Sequence, residues 1–267
     1  MRGGHCLSLL LGIMGIAYSL YFTATHHGTG FNGFYDKTAL VLLLLMPPSV
    51  MLLSHTLTDF YVGLSILVKA LFRTQSRREK EVIEVLTLSS ALVRSEGIGA
   101  LMKVKNQIKY PFLRDGISLI LNDFSPDEIR HNLQNKINAE QMRMSLASHL
   151  FENISKLSPG VGMIGTLLGL ISMMANLKNP DQIGAGMALA MIGTLYGLLL
   201  GTLIYGPFSE KISLEAERNL QIDLMILEGV LTLKGKKSSI HMRDIMNTYS
   251  QRKSAPGQGQ AEAAKRS

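Results

Sequence analysis

The sequence predicts an all-α membrane protein with four transmembrane helices and a large helical cytoplasmic insert between spans two and three. Three observations predict it. The 267 residues are 46% hydrophobic and only 18% charged, with a mean hydropathy of +0.19, which is too apolar for an ordinary soluble chain. Four apolar stretches carry no Asp, Glu, Lys or Arg, and they fall into two pairs separated by a long charged segment. The basic excess, a net charge of +7, is concentrated in that segment and after Glu210, where cytoplasmic loops of a membrane protein carry it. This placement accounts for the charge without nucleic acid.

The first transmembrane hairpin is expected within residues 1–68, with spans at about 7–22 and 38–58. Leu7–Phe22 is short and follows Arg2, so a cleaved signal peptide is the competing reading there. Pro47-Pro48 should kink the second span, since proline supplies no N–H to the helix. Residues 69–156 form the cytoplasmic helical domain. In it, Glu79 to Met102 reads as an amphipathic helix, with Val82, Leu86 and Val93 among charges. Pro111 opens another helix, with Ile117, Ile120, Leu121 and Phe124 as its buried face. Ser125-Pro126-Asp127-Glu128 is a capping box with proline at the first helical position, and Ile129, Leu133 and Ile137 then make one apolar stripe.

The second hairpin occupies residues 157–209, with spans at about 157–177 and 182–207. Twenty-one helical residues reach ~31 Å, matching a hydrocarbon core of ~30 Å. Only Lys178, Asn179, Pro180 and Asp181 separate the two spans. A cytoplasmic helical segment over 210–250 and a disordered tail over 251–267 complete the chain. The distribution of Lys and Arg places both termini in the cytoplasm and the loops at His26–Lys37 and Lys178–Asp181 outside.

One cysteine, Cys6, excludes an internal disulfide, and there is no C-x-x-C pair or H-x-x-x-H spacing for a metal. A nucleophile elbow and a P-loop are missing too, so an enzyme is not expected. No Asp or Glu lies inside any span, and His55 sits near the cytoplasmic end of its own. If this chain conducts ions, another subunit must bring the carboxylate. Gly162, Gly165 and Gly169 in the third span, and Gly186, Ala190, Thr194, Gly197 and Gly201 in the fourth, recur at helical spacing and permit close backbone packing. Thr166 and Thr194 add hydroxyls to those faces. Pro159 and Pro207 flank the hairpin at its cytoplasmic end, where each could simply mark a helix boundary.

Ser158-Pro159-Gly160-Val161-Gly162-Met163-Ile164-Gly165-Thr166-Leu167-Leu168-Gly169 resembles the third-span signature of the MotA/PomA flagellar stator subunits, within the MotA/TolQ/ExbB proton channel superfamily. Met191-Ile192-Gly193-Thr194-Leu195-Tyr196-Gly197 is similar to the fourth-span signature. Pro111-Phe112-Leu113-Arg114-Asp115-Gly116, the segment from Ser125 to Arg130, and Leu227-Glu228-Gly229-Val230-Leu231 match outside the membrane, in the family's order. The related ExbB/TolQ energisers of outer-membrane transport share the last hairpin and are the alternative.

The resemblance implies a multi-pass inner-membrane ring of identical subunits, five expected, around a MotB-like single-span partner anchored to peptidoglycan. That partner would supply a membrane aspartate. Proton or sodium flow would then drive the rotor of the flagellar switch, through a FliG-like protein, with no cofactor. Carried over by position, Thr166 and Thr194 line the ion path, and Pro159 and Pro207 couple ion passage to torque. Arg94, ahead of Gly97, faces the rotor. The glutamate usual five residues after that glycine is Met102 here, so Glu96 or Lys103 could take its place.

Overall fold

The structure, a computed structural model, describes residues 14–15, 18, 21–22, 25, 35–72, 76–105, 108–178, 180–235 and 238–251. Most of the expected first span and the tail beyond Gln251 lie outside the described residues. Every element is helical, and no strand occurs among the described residues. In chain order the elements are α1 (Lys37–Met51), α2 (Leu57–Phe72), α3 (Ser76–Glu96), a 3-10 turn (Ile98–Ala100), α4 (Leu101–Lys105) and α5 (Pro111–Leu121). There follow α6 (Pro126–Ala175), α7 (Pro180–Leu199), a π-helical turn (Leu200–Tyr205), α8 (Gly206–Lys234) and α9 (Ser239–Gln251). The chain divides into two compact units, one of residues 1–68 with 146–212 and one of 69–145 with 213–267. The divisions fall at 145/146 and 212/213, against the expected 156/157 and 209/210.

In the first unit, Asp36 caps α1 by accepting the Ala39 N–H at 2.9 Å. Pro47 and Pro48 then remove two successive donors, and the helix stops three residues later at Met51. Within the segment expected as the second span, 38–58, the helix therefore ends at Met51 instead of continuing past the proline kink. Fifteen residues reach only ~22 Å, and His55 lies in the turn that follows. Thr56 and Asp59 start α2 reciprocally. The Asp59 carboxylate accepts the Thr56 N–H at 3.0 Å, and the Thr56 hydroxyl accepts the Asp59 N–H at 3.3 Å. This helix has no counterpart in the expected scheme. Gly63 rests it against Leu150 and Phe151 of α6, while α1 packs on α7. Among the described residues, two helical stretches are long and apolar enough to cross a membrane, within Pro126–Ala175 and Ile183–Lys234.

The second unit closes on a core that includes Leu86, Leu101, Ile117, Ile129, Leu133, Ile226 and Met242. The helix expected from Glu79 to Met102 is broken. Gly97 takes φ +83°, a left-handed value that ends α3 and turns the chain into the 3-10 turn and α4. The capping box at the start of α6 forms as expected, with the Glu128 carboxylate accepting the Ser125 N–H at 2.8 Å and Ile129, Leu133 and Ile137 fully buried. Those bonds hold the Glu128 carboxyl below its ordinary range. The glycines of the extramembrane motifs are packing positions. A Cβ on Gly116 would lie 2.7 Å from Val230, and one on Gly229 would lie 2.6 Å from Leu86.

Candidate functional site

The candidate site lies on the seam between α6 and α7, where small residues bring two backbones together. A Cβ at Gly169 would sit 2.5 Å from the Gly186 carbonyl oxygen, and one at Gly162 would sit 2.9 Å from that of Gly193. Gly197 approaches the Ser158 oxygen at 2.8 Å by the same measure, and Gly201 approaches that of Ser155 at 2.7 Å. Only glycine fits these four crossings. Gly165 differs, because its Cβ would be 3.6 Å from the nearest atom across the seam, an ordinary contact.

The close approach brings the two threonines together. Thr166 Oγ1 and Thr194 Oγ1 lie 2.5 Å apart, and each is 3.2 Å from the carbonyl oxygen of Ala190. One hydroxyl donates to the other, which in turn donates to Ala190; Gly162 offers Thr166 a further carbonyl at 3.3 Å. Each hydroxyl has two lone pairs and one proton, so the pair keeps acceptor capacity after its own bonds are made. The threonines open on an apolar groove of about 500 Å³, which Leu170, Met187, Met191, Leu195 and Leu198 also line. A cluster of neutral oxygens in an apolar groove can replace part of the water around a hard cation. It has no charge with which to hold a proton, since no acid occurs from Gln182 to Ser209 or from Leu157 to Leu177.

Neither proline ends a helix. Pro159 lies inside the 50-residue α6, and Pro207 is the second residue of α8, directly after the π turn. A boundary role is thereby overturned for Pro159. Pro159 packs against the π turn itself, since a Cβ on Gly201 would lie 3.2 Å from Pro159 Cδ.

The charges assigned to the rotor surround the Gly97 corner of the second unit. Arg94, Glu96 and Lys103 are all exposed, as is Met102. Lys103 pairs with Glu96 at 3.0 Å across the corner.

Two further groups are marked weakly or not at all in the sequence. The Ser155 hydroxyl donates to the Gly201 carbonyl at 2.8 Å, and its sign was a seven-residue spacing through Ser148, Ser155, Gly162 and Gly169. Asp223 on α8 is pushed up to about 7 by burial and by the neighbouring Glu140. Nothing in its sequence neighbourhood marked it.

Residues 104–223 match the model of the MotA/TolQ/ExbB proton channel family. Motility protein A of Borreliella burgdorferi is 30% identical over 229 residues, covering 84% of each chain. Chemotaxis protein PomA of Vibrio alginolyticus is 28% identical over 228 residues, 85% of this chain and 88% of the relative. The fold is that of the C. jejuni MotAB structure, at a TM-score of 0.81 and 17% identity over 91% of this chain and 95% of that one. It is also that of the Bacillus subtilis MotAB stator complex, at 0.73 and 22% over 86% and 92%.

Proposed function

Because the chain belongs to the MotA/TolQ/ExbB proton channel family, we propose that it works as a flagellar motor stator subunit of the motility A type, converting ion flow into rotor torque. It sits in the bacterial inner membrane with both termini in the cytoplasm. Four spans cross the bilayer, with the short α1 at the core of the second, and the segment between the second and third carries the rotor-facing charges. Copies of the chain, five in number, ring a single-span MotB-like partner anchored to peptidoglycan. The two solved neighbours are MotAB structures, which supports a MotB-type partner. The ExbB/TolQ alternative is disfavoured because relatives matching over most of their length are named for motility and chemotaxis.

The observation that carries the reading is the Thr166–Thr194 pair on an apolar, acid-free groove. Neutral oxygens at that point can pass an ion but cannot capture it. The partner's aspartate supplies the charge. Ion passage past the threonines then changes how the α6–α7 seam packs, and Pro159 and Pro207 transmit the change. Each charge crossing contributes ~2.3 kcal/mol per 100 mV, so several ions accompany any sizeable step. The coupling ion is a proton or sodium. Arg94, Glu96 and Lys103 meet the rotor's FliG-like protein, and no cofactor is needed.

The test uses cells whose only stator is this chain with its partner. Swimming speed is measured against sodium concentration and against a protonophore, for the wild type and for Thr194→Ala. Speed should follow one of the two gradients and collapse in the variant while the partner still co-purifies. Swimming that ignores both gradients, or wild-type speed in Thr194→Ala, would overturn the reading.

A further inference from the structure

In the π-helical turn before Pro207, the Gly206 N–H donates to the Gly201 carbonyl, five residues back instead of four. Pro207 has no N–H to give. In an α-helical register the carbonyl it deprives of a donor is that of Leu203, four residues back. In the π register it is that of Thr202, five back. Each register is short of one intrahelical bond, and in the α register the proline ring also presses on the Leu203 carbonyl, so the α form loses its usual advantage. An outside contact can then decide between them.

Such a contact is present. The Ser155 hydroxyl reaches the Gly201 carbonyl at 2.8 Å, the same oxygen that accepts the Gly206 N–H. The register also has a visible consequence along the seam. Ser148 and Ser155 are seven residues apart on α6, yet their partners Ser209 and Gly201 are eight apart. An α-helix turns ~100° per residue, so eight residues would carry Ser209 ~80° off the seam. The wider π turn absorbs the extra residue, and Ser209 Oγ lies 3.2 Å from Ser148 Oγ.

We infer that Ser155 is a positioning residue whose hydroxyl holds the 200–205 turn in the π register, setting the rotation of Pro207 and Ser209. The turn is a two-register element that switches during the stator's working step. Only this functional half rests on the stator reading.

The test uses the full chain co-expressed with its partner, with Cys6→Ser and the pair Ser148→Cys/Ser209→Cys, oxidised in membranes. Crosslink yield should be high with Ser155 and with Ser155→Thr, and should fall about three- to tenfold with Ser155→Ala, the change that one neutral hydrogen bond commands. Stall torque, measured without the cysteine pair, should fall in the same order. Equal yields in all three backgrounds overturn the proposal, as does a threonine variant as weak as the alanine one. A fallen yield with unchanged torque overturns the switching role. Failure of the wild-type gene to restore swimming defeats the stator reading instead, and the crosslink series still tests the register.

Discussion

Substituting Gly169 by alanine isolates what the seam contributes. Its new Cβ would meet the Gly186 carbonyl oxygen at 2.5 Å, the Ala190 nitrogen at 2.6 Å and the Ala190 Cβ at 2.8 Å. Two of these are backbone atoms, so no rotamer change relieves them. Restoring ordinary contact at about 3.5 Å requires α6 and α7 to separate locally by about 1 Å. The same movement stretches the 2.5 Å bond between Thr166 and Thr194, one turn away, to the limit of a hydrogen bond. Overpacking costs about 1–3 kcal/mol and the weakened bond about 1 more, offset by about 0.5–1 from alanine's better helix propensity. The net loss is about 1–3 kcal/mol. Gly165→Ala on the same face is the control, since its Cβ would be 3.6 Å from Gly193 Cα and 3.7 Å from a Leu42 methyl. It should leave the melting temperature of the purified stator complex unchanged or slightly higher. Gly169→Ala should lower it by several degrees and slow swimming. Indistinguishable melting temperatures and speeds for the two alanine variants would refute the reasoning.

Three other outcomes are expected. Ser125→Ala removes the cap of α6 and should cost about 1 kcal/mol in denaturant unfolding, whereas Ser125→Thr, which keeps a hydroxyl to accept from the Glu128 N–H and donate to its carboxylate, should restore most of it. Asp223 keeps its proton in the folded chain up to about pH 7, while the unfolded chain releases it near 3.8, so this group erodes stability progressively as pH rises from 4 to 7. Asp223→Asn should therefore stabilise the protein at pH 7–8 by roughly 2–4 kcal/mol and by nothing at pH 4; equal effects at both pH values would contradict the assignment. Arg94→Ala should reduce torque without moving the melting temperature, because the side chain is exposed, and a matching drop in stability would argue for a structural role instead.

The sequence made the second hairpin legible because a membrane leaves few options, and twenty-one uncharged residues bounded by charge have one reasonable use. The capping box at Ser125 was legible for a similar reason, since its hydrogen bonds are local to four residues. The end of α1 at Met51 was not. Pro47-Pro48 announces missing donors, but whether a helix bends or stops there depends on neighbours distant in sequence. In sequence Gly97 fits a helix because an isolated glycine is tolerated in one, and only its positive φ shows otherwise. In the candidate site, the glycine spacing indicated close packing but not which member was dispensable. Gly165 and Gly169 are alike on a helical wheel and differ only in what stands opposite. The π turn left no trace, because register depends on a hydroxyl 46 residues away in the chain.

Thr166 and Thr194 both lean on a single peptide oxygen, that of Ala190. Two hydroxyls that bond each other and share that oxygen are not independent contributors, so losing either breaks the pair and losing both should cost little more. Genetically they form one locus spread over two helices. A shift of ion preference would thus be reached by paired replacement, with each single step passing through a weaker motor.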